Sequence, residues 1–492
     1  MKKLKKLFAV MLSLIMVLAM GITSFADENA TIMLTGFEEA DSLNYMQIIE
    51  PDQFQPTGWK FVNDNVAKAF TDVTGQTEQN TLWMLILNKD DQARNNTELN
   101  IPDGLDAIPN SQIDRALSAI KSVDGWIDMK DNRSSLPVSK AGVYAFFAED
   151  NEYTYKVATA YVGFGTYDRT PTLVNANVAA KKSQISIEKS TADPDKAVAI
   201  GDTVEYTITT FVPYIDVTAE NRTFYIIDEI TGADYVTEEA GKVDGTITLG
   251  EGEDATNVSA DIVINNNGNG FTINLGSLVD DENSKGGQKI TVTYKAKVTA
   301  TTVTNTAYGH KSGLEYDSSA TNLYTGSITL TKVDATKTSK KLSGAEFTVS
   351  KVNEDNSLGA ELKFDLVNGV YRYNPESKRQ NATTVVTDTN GEVKVEGLDV
   401  GKYHFTETKA PNGYSINEAG IDIELGKDIS KDNVATGIFT VGADGKLTLK
   451  DSQLSALPAT GGIGTTIFTI VGCGIMIAAA GLFFASRRKE NR

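Results

Sequence analysis

Residues 326–334 read GSITLTKVD, and this stretch decides the predicted fold. Side chains alternate between the two faces of a β-strand, so Ile328, Leu330 and Lys332 share one face. Two of these side chains are apolar and therefore typical of a core, whereas the third is a lysine. The pattern predicts a β domain that carries a charged or reactive group on a core-facing strand.

Five other strands repeat this arrangement, in which two apolar residues and one polar residue share a face. They are Ile185/Ile187/Lys189, Phe224/Ile226/Asp228, Val303/Asn305/Ala307, Tyr403/Phe405/Glu407 and Leu447/Leu449/Asp451. The six strands form two sets, and each set supplies one lysine, one acid and one further carboxyl or carboxamide group. Alternating Thr-, Val- and Ile-rich runs between turn residues fill most of the chain, so the predicted fold class is mainly β.

A charge buried alone on such a face is costly, or it is neutralised through a pKa shift. One interpretation is that each polar side chain lies at a strand end and reaches water. The other is an intramolecular amide bond, because a desolvated neutral lysine is a nucleophile and a buried protonated acid polarises a carbonyl group. On this hypothesis Lys189 attacks Asn305, assisted by Asp228, and ammonia is released. In the second set the nucleophile is Lys332, the acceptor is Asp451, the assisting acid is Glu407 and the product released is water.

Each proposed bond would join the first strand of a domain to its last strand. The bonded residues are 116 and 119 positions apart, and a crosslink over about 100 residues is worth roughly 5 kcal/mol on the chain-entropy model. The only cysteine, Cys473, lies in a C-terminal apolar segment. Disulfides therefore cannot stabilise the body of the chain, and covalent amides would take their place.

Both ends of the chain carry export signals. Residues 1–26 combine four lysines, an apolar run and a small-x-small site that ends at Ala26, which predicts a secretory signal peptide. Residues 463–485 are apolar apart from three threonines, and Arg487, Arg488 and Lys489 follow after a single serine. This segment predicts a transmembrane span with a cytoplasmic basic tail.

Composition excludes several classes of function. The 492-residue chain has a net charge of -19, but the two ends hold eight of its 46 basic residues and only one of its 65 acidic residues, so the remainder carries -26. Such a body repels phosphate backbones, and we expect no nucleic-acid partner. Only two histidines occur, His310 and His404, and neither is accompanied by other potential metal ligands at a metal-binding spacing. We expect no metal, no cofactor and no enzyme in the usual sense, apart from single-turnover bond formation.

These features predict three domains between the end signals. An N-terminal domain over 27–178 contains all three tryptophans and a helix with Ile113, Leu117 and Ile120 at helical spacing, capped by Asn110 or Ser111. The other two domains, over 179–325 and 326–456, are almost pure strand pattern. The sorting region covers 457–492. The N-terminal domain has Gln47 where a crosslinking lysine would be expected, so no internal bond is predicted there.

Specific motifs resemble those of one family. Residues 403–414 (YHFTETKAPNGY) resemble the E-box of sortase-assembled Gram-positive pilins, within what resembles a collagen-adhesin B-type (CnaB) Ig-like domain whose second strand is represented by 342–347 (LSGAEF). Residues 201–208 (GDTVEYTI) and 305–307 (NTA) resemble the fimbrial isopeptide-forming (CnaA-type) domain of major pilins. The LPXTG cell-wall sorting signal is matched by Leu457, Pro458, Ala459, Thr460 and Gly461.

The resemblance implies tandem Ig-like β-sandwiches and a role as a wall-anchored, extracellular pilus shaft subunit. A sortase would cleave after Thr460, and a lysine of an identical subunit would resolve the acyl-enzyme. Other implied partners are minor pilins and peptidoglycan. The family's acceptor lysine usually lies in a Tyr-Pro-Lys element, whereas residues 177–182 here read NVAAKK. Lys181 is the preferred acceptor and Lys182 the second. This departure keeps an alternative open, a singly anchored adhesin that binds a host surface ligand through its N-terminal domain.

Overall fold

β-Strands make up most of the computed structural model, which describes residues 29–90, 92–95, 99–130, 132–167, 170–237, 239–426, 439–442, 447–454 and 464–490. The predicted signal peptide at 1–26 and the motif Leu457–Gly461 lie outside the described residues. The chain divides into two compact units. The first contains residues up to 197 together with 201–324, and the second contains residues 198–200 together with those from Thr325 onward.

The N-terminal part of the first unit mixes strands with three helices. Its elements are β1 (Ala30–Thr35), β2 (Ser42–Pro51), β3 (Trp59–Phe61), α1 (Asp64–Thr74), α2 (Glu78–Lys89), α3 (Asn110–Ala119), β4 (Ile127–Asp128), β5 (Ser135–Val138), β6 (Gly142–Glu149), β7 (Tyr153–Tyr155), β8 (Ala158–Val162), β9 (Phe164–Tyr167), β10 (Thr170–Leu173), β11 (Ala176–Ala179) and β12 (Lys182–Gln184).

Its central sheet, in the order β3-β2-β6-β8, is buried on both faces. Phe146 of β6 belongs to a core cluster that includes Ile32 of the neighbouring sheet β11-β1-β5. On the opposite face, Ile48 of β2 belongs to a cluster that includes Phe70 of α1 and Leu117 of α3. The helices therefore cover a sheet face that would otherwise be exposed.

The predicted helix near Ile113 is confirmed as α3, but its predicted cap is wrong. The residue at the N-cap is Pro109, and no side chain caps the helix by a hydrogen bond. Asn110 and Ser111 lie inside the first turn rather than before it. Proline with its extended backbone conformation occupies the cap position instead.

The described residues in the rest of the first unit form strands, with two single-turn 3-10 helices at Gly252–Asp254 and Gly276–Leu278. Its strands are β13 (Ile187–Thr191), β14 (Thr203–Phe211), β15 (Phe224–Thr231), β16 (Ala233–Tyr235), β17 (Gly245–Leu249), β18 (Thr256–Asn257), β19 (Ile262–Ile264), β20 (Gly270–Asn274), β21 (Lys289–Val298), β22 (Thr302–Lys311) and β23 (Leu314–Tyr324). One sheet has the order β13-β14-β21-β17-β18, with β16 on β21, and the other has the order β19-β20-β15-β22-β23. All of these pairings are antiparallel.

The second unit repeats the two-sheet organisation. Its elements are β24 (Gly326–Asp334), β25 (Glu346–Val352), β26 (Leu358–Glu361), β27 (Phe364–Val367), β28 (Val370–Tyr373), β29 (Val385–Val386), β30 (Glu392–Leu398), β31 (Gly401–Lys409), β32 (Ile421–Leu425), β33 (Phe439–Val441), β34 (Thr448–Asp451) and α4 (Gly464–Glu490). One sheet has the order β27-β28-β30-β24-β33, with β34 also on β24, and the other has the order β26-β25-β31-β32, with β29 on β25.

Helix α4 covers the segment that the sequence predicts to span a membrane. Within the residues that the structure describes, no helix is both long and apolar enough to cross a membrane. The span at 463–485 stays a prediction.

Candidate functional site

The first cluster forms between two sheets of the first unit, β13-β14-β21-β17-β18 and β19-β20-β15-β22-β23. Lys189 extends from β13 in one sheet, whereas Asp228 of β15 and Asn305 of β22 extend from the other. In the antiparallel register Asp228 faces Ala307, so Asn305 lies two residues away on the same face. The Lys189 and Asp228 side chains have no exposed surface, and Asn305 is fully buried. The interpretation in which these groups reach water at strand ends is therefore wrong.

Two tyrosines that the sequence analysis did not identify complete this cluster. Lys189 Nζ contacts both Asp228 Oδ2 and the Tyr294 hydroxyl. The hydroxyls of Tyr294 and Tyr235 each donate to Asp228 Oδ1 at 2.9 Å. Asn305 Nδ2 donates to the Tyr294 hydroxyl oxygen at 2.9 Å. The Tyr294 hydroxyl thus contacts the amine, the acid and the carboxamide.

Burial moves the titration of this cluster towards uncharged forms. It lowers the pKa of Lys189, although the nearby Asp228 carboxylate opposes the shift. Burial likewise raises the pKa of Asp228, against the opposing effects of Lys189 and the two tyrosine hydroxyls. An amine facing a carboxylic acid is the pair of protonation states that nucleophilic attack on an amide requires.

The predicted topology of this bond needs one correction. Asn305 lies on β22, and β23 follows it as the last strand. Lys189 and Asn305 would therefore connect the first strand to the next-to-last strand, not to the last. Backbone contacts still hold β13 against β23, since the Lys189 amide donates to Ser319 Oγ at 3.0 Å and the Ile187 amide donates to Asp317 Oδ2 at 2.8 Å.

The second cluster joins the first and last described strands of the second unit's sandwich. β24 and β34 are parallel neighbours, with Lys332 paired to Leu449 and Asp334 paired to Asp451. Glu407 extends from β31 in the opposite sheet. The side chains of Lys332, Glu407 and Asp451 have no exposed surface. All three residues that the sequence predicted for this cluster are brought together.

The two acids of the second cluster, Glu407 and Asp451, differ in their hydrogen-bond partners. Lys332 Nζ lies 2.9 Å from Glu407 Oε2, which also accepts from the Asn417 amide at 2.7 Å. Lys332 Nζ also contacts Asp451 Oδ1, yet neither carboxyl oxygen of Asp451 has a hydrogen-bond partner within the described part of the chain. Burial raises the pKa of Glu407, opposed by the hydrogen bonds from Asn417 and Lys332. Glu407 Oε2 thus has two hydrogen-bond donors, whereas Asp451 contacts the Lys332 amine as an ion pair without a hydrogen bond.

The backbone around Lys332 depends on a glycine. Gly391 has φ = 71°, and its carbonyl accepts from the Lys332 amide at 2.8 Å. A Cβ atom at Gly391 would lie 2.7 Å from the Leu342 nitrogen and 3.0 Å from the Lys332 carbonyl oxygen. Both the positive φ and the close approach require glycine at this position.

A buried carboxylate next to the second cluster was also missed from the sequence. Asp334 Oδ2 accepts from the Tyr414 hydroxyl at 2.7 Å and from Gln453 Nε2 at 2.8 Å. Its other oxygen accepts from the backbone amide and hydroxyl of Thr336 at 2.8 and 2.7 Å. Asp334 thereby ties the segment after Asp451 to Tyr414, the last residue of the segment 403–414.

The two candidate acceptor lysines differ in their surroundings. Lys181 is exposed, between β11 and β12. Lys182 Nζ donates to Glu39 Oε2 at 2.6 Å and lies 4.2 Å from the centre of the Tyr153 ring. The hydrogen bond to Glu39 raises the pKa of Lys182. The Lys182 amine is therefore held in place by Glu39 and Tyr153.

Two segments of the chain match known families. Residues 326–437 match the SpaA family, described as a prealbumin-like fold domain, and residues 450–492 match the LPXTG cell wall anchor motif. The second match includes all of the predicted sorting signal. The chain therefore carries a cell-wall anchor of the Gram-positive type, and it is a wall-anchored surface protein.

Comparison with whole proteins identifies the fold. Over 141 residues the chain is 29% identical to the trypsin-resistant surface T6 protein of Streptococcus pyogenes serotype M6, which corresponds to 27% of this chain and 25% of that protein. The chain thus spans about a quarter of that curated relative. The structure of the T6 backbone pilin of the same serotype matches with a TM-score of 0.50 at 14% identity, over 87% of this chain and 99% of that one. The major pilin SpaD of Corynebacterium diphtheriae has a TM-score of 0.44 at 15% identity, over 88% and 99%. The first of these solved structures shows that the chain has a backbone-pilin fold.

Proposed function

We propose that this chain is a structural shaft subunit of a covalently polymerised cell-surface pilus, with three domains and two intramolecular amide bonds. The supporting observation is that two sandwiches each bury a lysine, an acid and a further carboxyl or carboxamide group together. Lys332 contacts both of its acids, and Lys189 and Asn305 contact the same Tyr294 hydroxyl. Neither cluster opens to a substrate cavity, because the side chains concerned have no exposed surface or are fully buried. Chemistry enclosed in this way acts on the chain itself.

The two bond-forming steps differ only in the leaving group. In the first cluster Lys189 Nζ bonds to Asn305 Cγ, the Cγ–Nδ2 bond breaks, and ammonia leaves. In the second, Lys332 Nζ bonds to Asp451 Cγ, one Cγ–O bond breaks, and water leaves. Asp228 and Glu407 transfer protons and are regenerated, so each reaction occurs once per molecule.

The bonds suit a subunit that carries tension. β24 and β34 lie side by side and parallel, so a load applied at the two ends of the second unit shears one strand past the other. A Lys332–Asp451 amide would transmit that load through covalent bonds instead of backbone hydrogen bonds. Asp334 and Gln453 hold the chain directly beyond Asp451, where it continues to the anchor.

The ends of the chain would supply the intermolecular links. A sortase would cleave between Thr460 and Gly461 and hold the Thr460 acyl group. An amine of the next subunit, of a minor pilin or of peptidoglycan would then release it. We assign the acceptor amine to Lys181, because Lys182 is engaged by Glu39 and Tyr153 and a firmly protonated amine is a poor nucleophile.

An immunoblot of cell-wall extract boiled in SDS tests this assignment. A shaft subunit produces a ladder of high-mass species, and Lys181→Ala removes the ladder whereas Lys182→Ala keeps it. The reverse outcome would transfer the acceptor role to Lys182. A single wall-linked band near monomer mass in the unaltered protein would contradict the shaft function and favour a singly anchored adhesin.

A further inference from the structure

Tyr294 lies at the point of the first cluster where bond formation requires a proton donor. Its ring is buried, packed edge-on against Phe271 with centroids 4.9 Å apart and stacked on Tyr206 at 5.6 Å. Its hydroxyl nevertheless contacts Lys189 Nζ, Asp228 Oδ1 and Asn305 Nδ2. A side chain used only for packing would not need its polar atom at this meeting point.

The reaction at Asn305 requires a proton on the nitrogen that leaves. Expulsion of an unprotonated amide ion is prohibitively slow, so the nitrogen must leave as ammonia. Among the described residues no hydrogen bond joins Asp228 to Asn305; the bonded partner of the Asn305 nitrogen is the Tyr294 hydroxyl. Asp228 therefore reaches the leaving group only through Tyr294.

We propose that Tyr294 is a catalytic residue that relays a proton from Asp228 to the leaving nitrogen of Asn305. The inference rests on the proposed amide bond between Lys189 and Asn305. In the starting amide the nitrogen is planar and can only donate, which is the hydrogen bond observed. Once Lys189 has attacked, the tetrahedral adduct gives that nitrogen a lone pair, and it accepts from the same hydroxyl.

The protons balance over one turnover. Lys189 enters as an amine and loses one proton to Asp228 Oδ2, which its nitrogen contacts. Both hydrogen bonds of the Tyr294 hydroxyl reverse their direction in this step. Asp228 gives its own proton through Oδ1 to the Tyr294 oxygen, and Tyr294 turns its hydroxyl proton towards Asn305 Nδ2 and passes it to that nitrogen. The Cγ–Nδ2 bond then breaks and ammonia leaves. Asp228 and Tyr294 end in their starting protonation states.

The electrostatics of Tyr294 suit a relay and not an independent acid. Burial and the neighbouring Asp228 hold the pKa of Tyr294 well above its usual value. The phenol therefore does not persist as a phenolate, and it gives up its proton only while it receives another. Tyr235 offers a matched comparison, since it donates to the same Asp228 oxygen at 2.9 Å, and no hydrogen bond from its hydroxyl to Lys189 or Asn305 exists among the described residues.

The test compares Tyr294→Phe with Tyr235→Phe in the full-length chain. After a short pulse of expression, translation is stopped and samples are digested at intervals. The ratio of the crosslinked Lys189–Asn305 peptide to the linear Asn305 peptide gives the rate of bond formation. Loss of a proton relay slows the reaction about 100-fold or more, whereas Tyr235→Phe slows it less than about tenfold.

The outcomes separate the relay from the proposed function. If the unaltered chain never forms the crosslinked peptide, the amide bond itself is absent. If the unaltered chain reacts, and Tyr294→Phe forms the bond at the same rate as Tyr235→Phe, the proposed relay is wrong. Near-UV circular dichroism checks folding. Should Tyr294→Phe fail to fold, a fluorinated tyrosine at 294 keeps the shape and makes the phenol more acidic. A rate equal to that of the unaltered chain would then overturn the relay, and a faster rate would support it.

Discussion

Asp451→Ala isolates the contribution of the proposed Lys332–Asp451 amide bond to stability. The substitution removes the acceptor but leaves Lys332 Nζ 2.9 Å from Glu407 Oε2, so no buried charge loses its only partner. What disappears is the closure of the chain between residues 332 and 451, which are 119 positions apart. On the chain-entropy model that closure stabilises the folded state by about 5 kcal/mol.

For a unit of this size, about 5 kcal/mol corresponds to a fall in melting temperature of roughly 15–25 °C. Differential scanning calorimetry of the full chain measures the shift. The unfolding transition of the second unit is recognised because Asn305→Ala, which disables the first cluster, leaves that transition unchanged. Mass analysis of the digested protein should find Lys332 in a linear peptide.

Two comparison variants make the result decisive. Lys450→Ala alters an exposed neighbour on β34 and should change stability by less than about 0.5 kcal/mol. Asp451→Asn retains an acceptor and should restore the crosslink and the melting temperature, with ammonia released in place of water. The reasoning is refuted if Asp451→Ala melts within a few degrees of Lys450→Ala.

Three further predictions concern residues around the second cluster. Glu407→Ala should slow the loss of water at Lys332–Asp451 by about 100-fold or more, measured from peptide ratios after an expression pulse, and an unchanged rate would remove the assigned role of the acid. Hydrogen bonds from Thr336, Tyr414, Gln453 and the Lys337 amide lower the pKa of Asp334. The ionised carboxylate therefore stabilises the fold above its unfolded pKa of about 4, and this stability is lost as pH falls through the folded pKa. Asp334→Asn should be less stable at neutral pH and lose less stability on acidification, and equal acid-induced losses in an acid titration of the melting temperature would contradict this. Gly391→Ala should destabilise the second unit by about 1–3 kcal/mol in urea unfolding, because φ is positive and the added methyl meets the Leu342 nitrogen, and an unchanged midpoint would show that this turn relaxes freely.

The side-chain parity of single strands was sufficient to identify the lysine, the acid and the further carboxyl or carboxamide residue of each cluster, but not the tyrosines of the first. Lys189 and Asn305 could be assigned to core faces because each is flanked by apolar residues at alternate positions. Parity does not reveal which strand pairs with which. Parity alone therefore predicts β22 as the last strand, although β23 follows it. Strand order depends on contacts between residues far apart in sequence.

The missed tyrosines have the same origin. Tyr294 alternates with Ile290 and Val292, as any core aromatic does, and only the approach of β15 from the opposite sheet brings Asp228 to its hydroxyl. Asp334 lies at a strand end, where an acid normally reaches water. Its burial results from Gln453, more than 100 residues away.

Local signals were available for the helices that went unpredicted. Asn63 caps α1 by accepting from the Val66 amide at 2.9 Å, and Gly75 ends the helix with φ = 65°. Both are standard boundary residues. The Asn390-Gly391 pair is a typical signal of a hairpin turn. The turn forms, but it connects β29 in one sheet to β30 in the other, and sheet membership is a property of the whole domain.

The most direct test of the account is the mass of the peptides that contain Lys189, Asn305, Lys332 and Asp451 in protein released from the cell wall. The account predicts two branched peptides, one lighter than the sum of its parts by one ammonia and the other by one water. Linear peptides of unmodified mass at both clusters would contradict it, because the buried lysines would then be ordinary ion pairs.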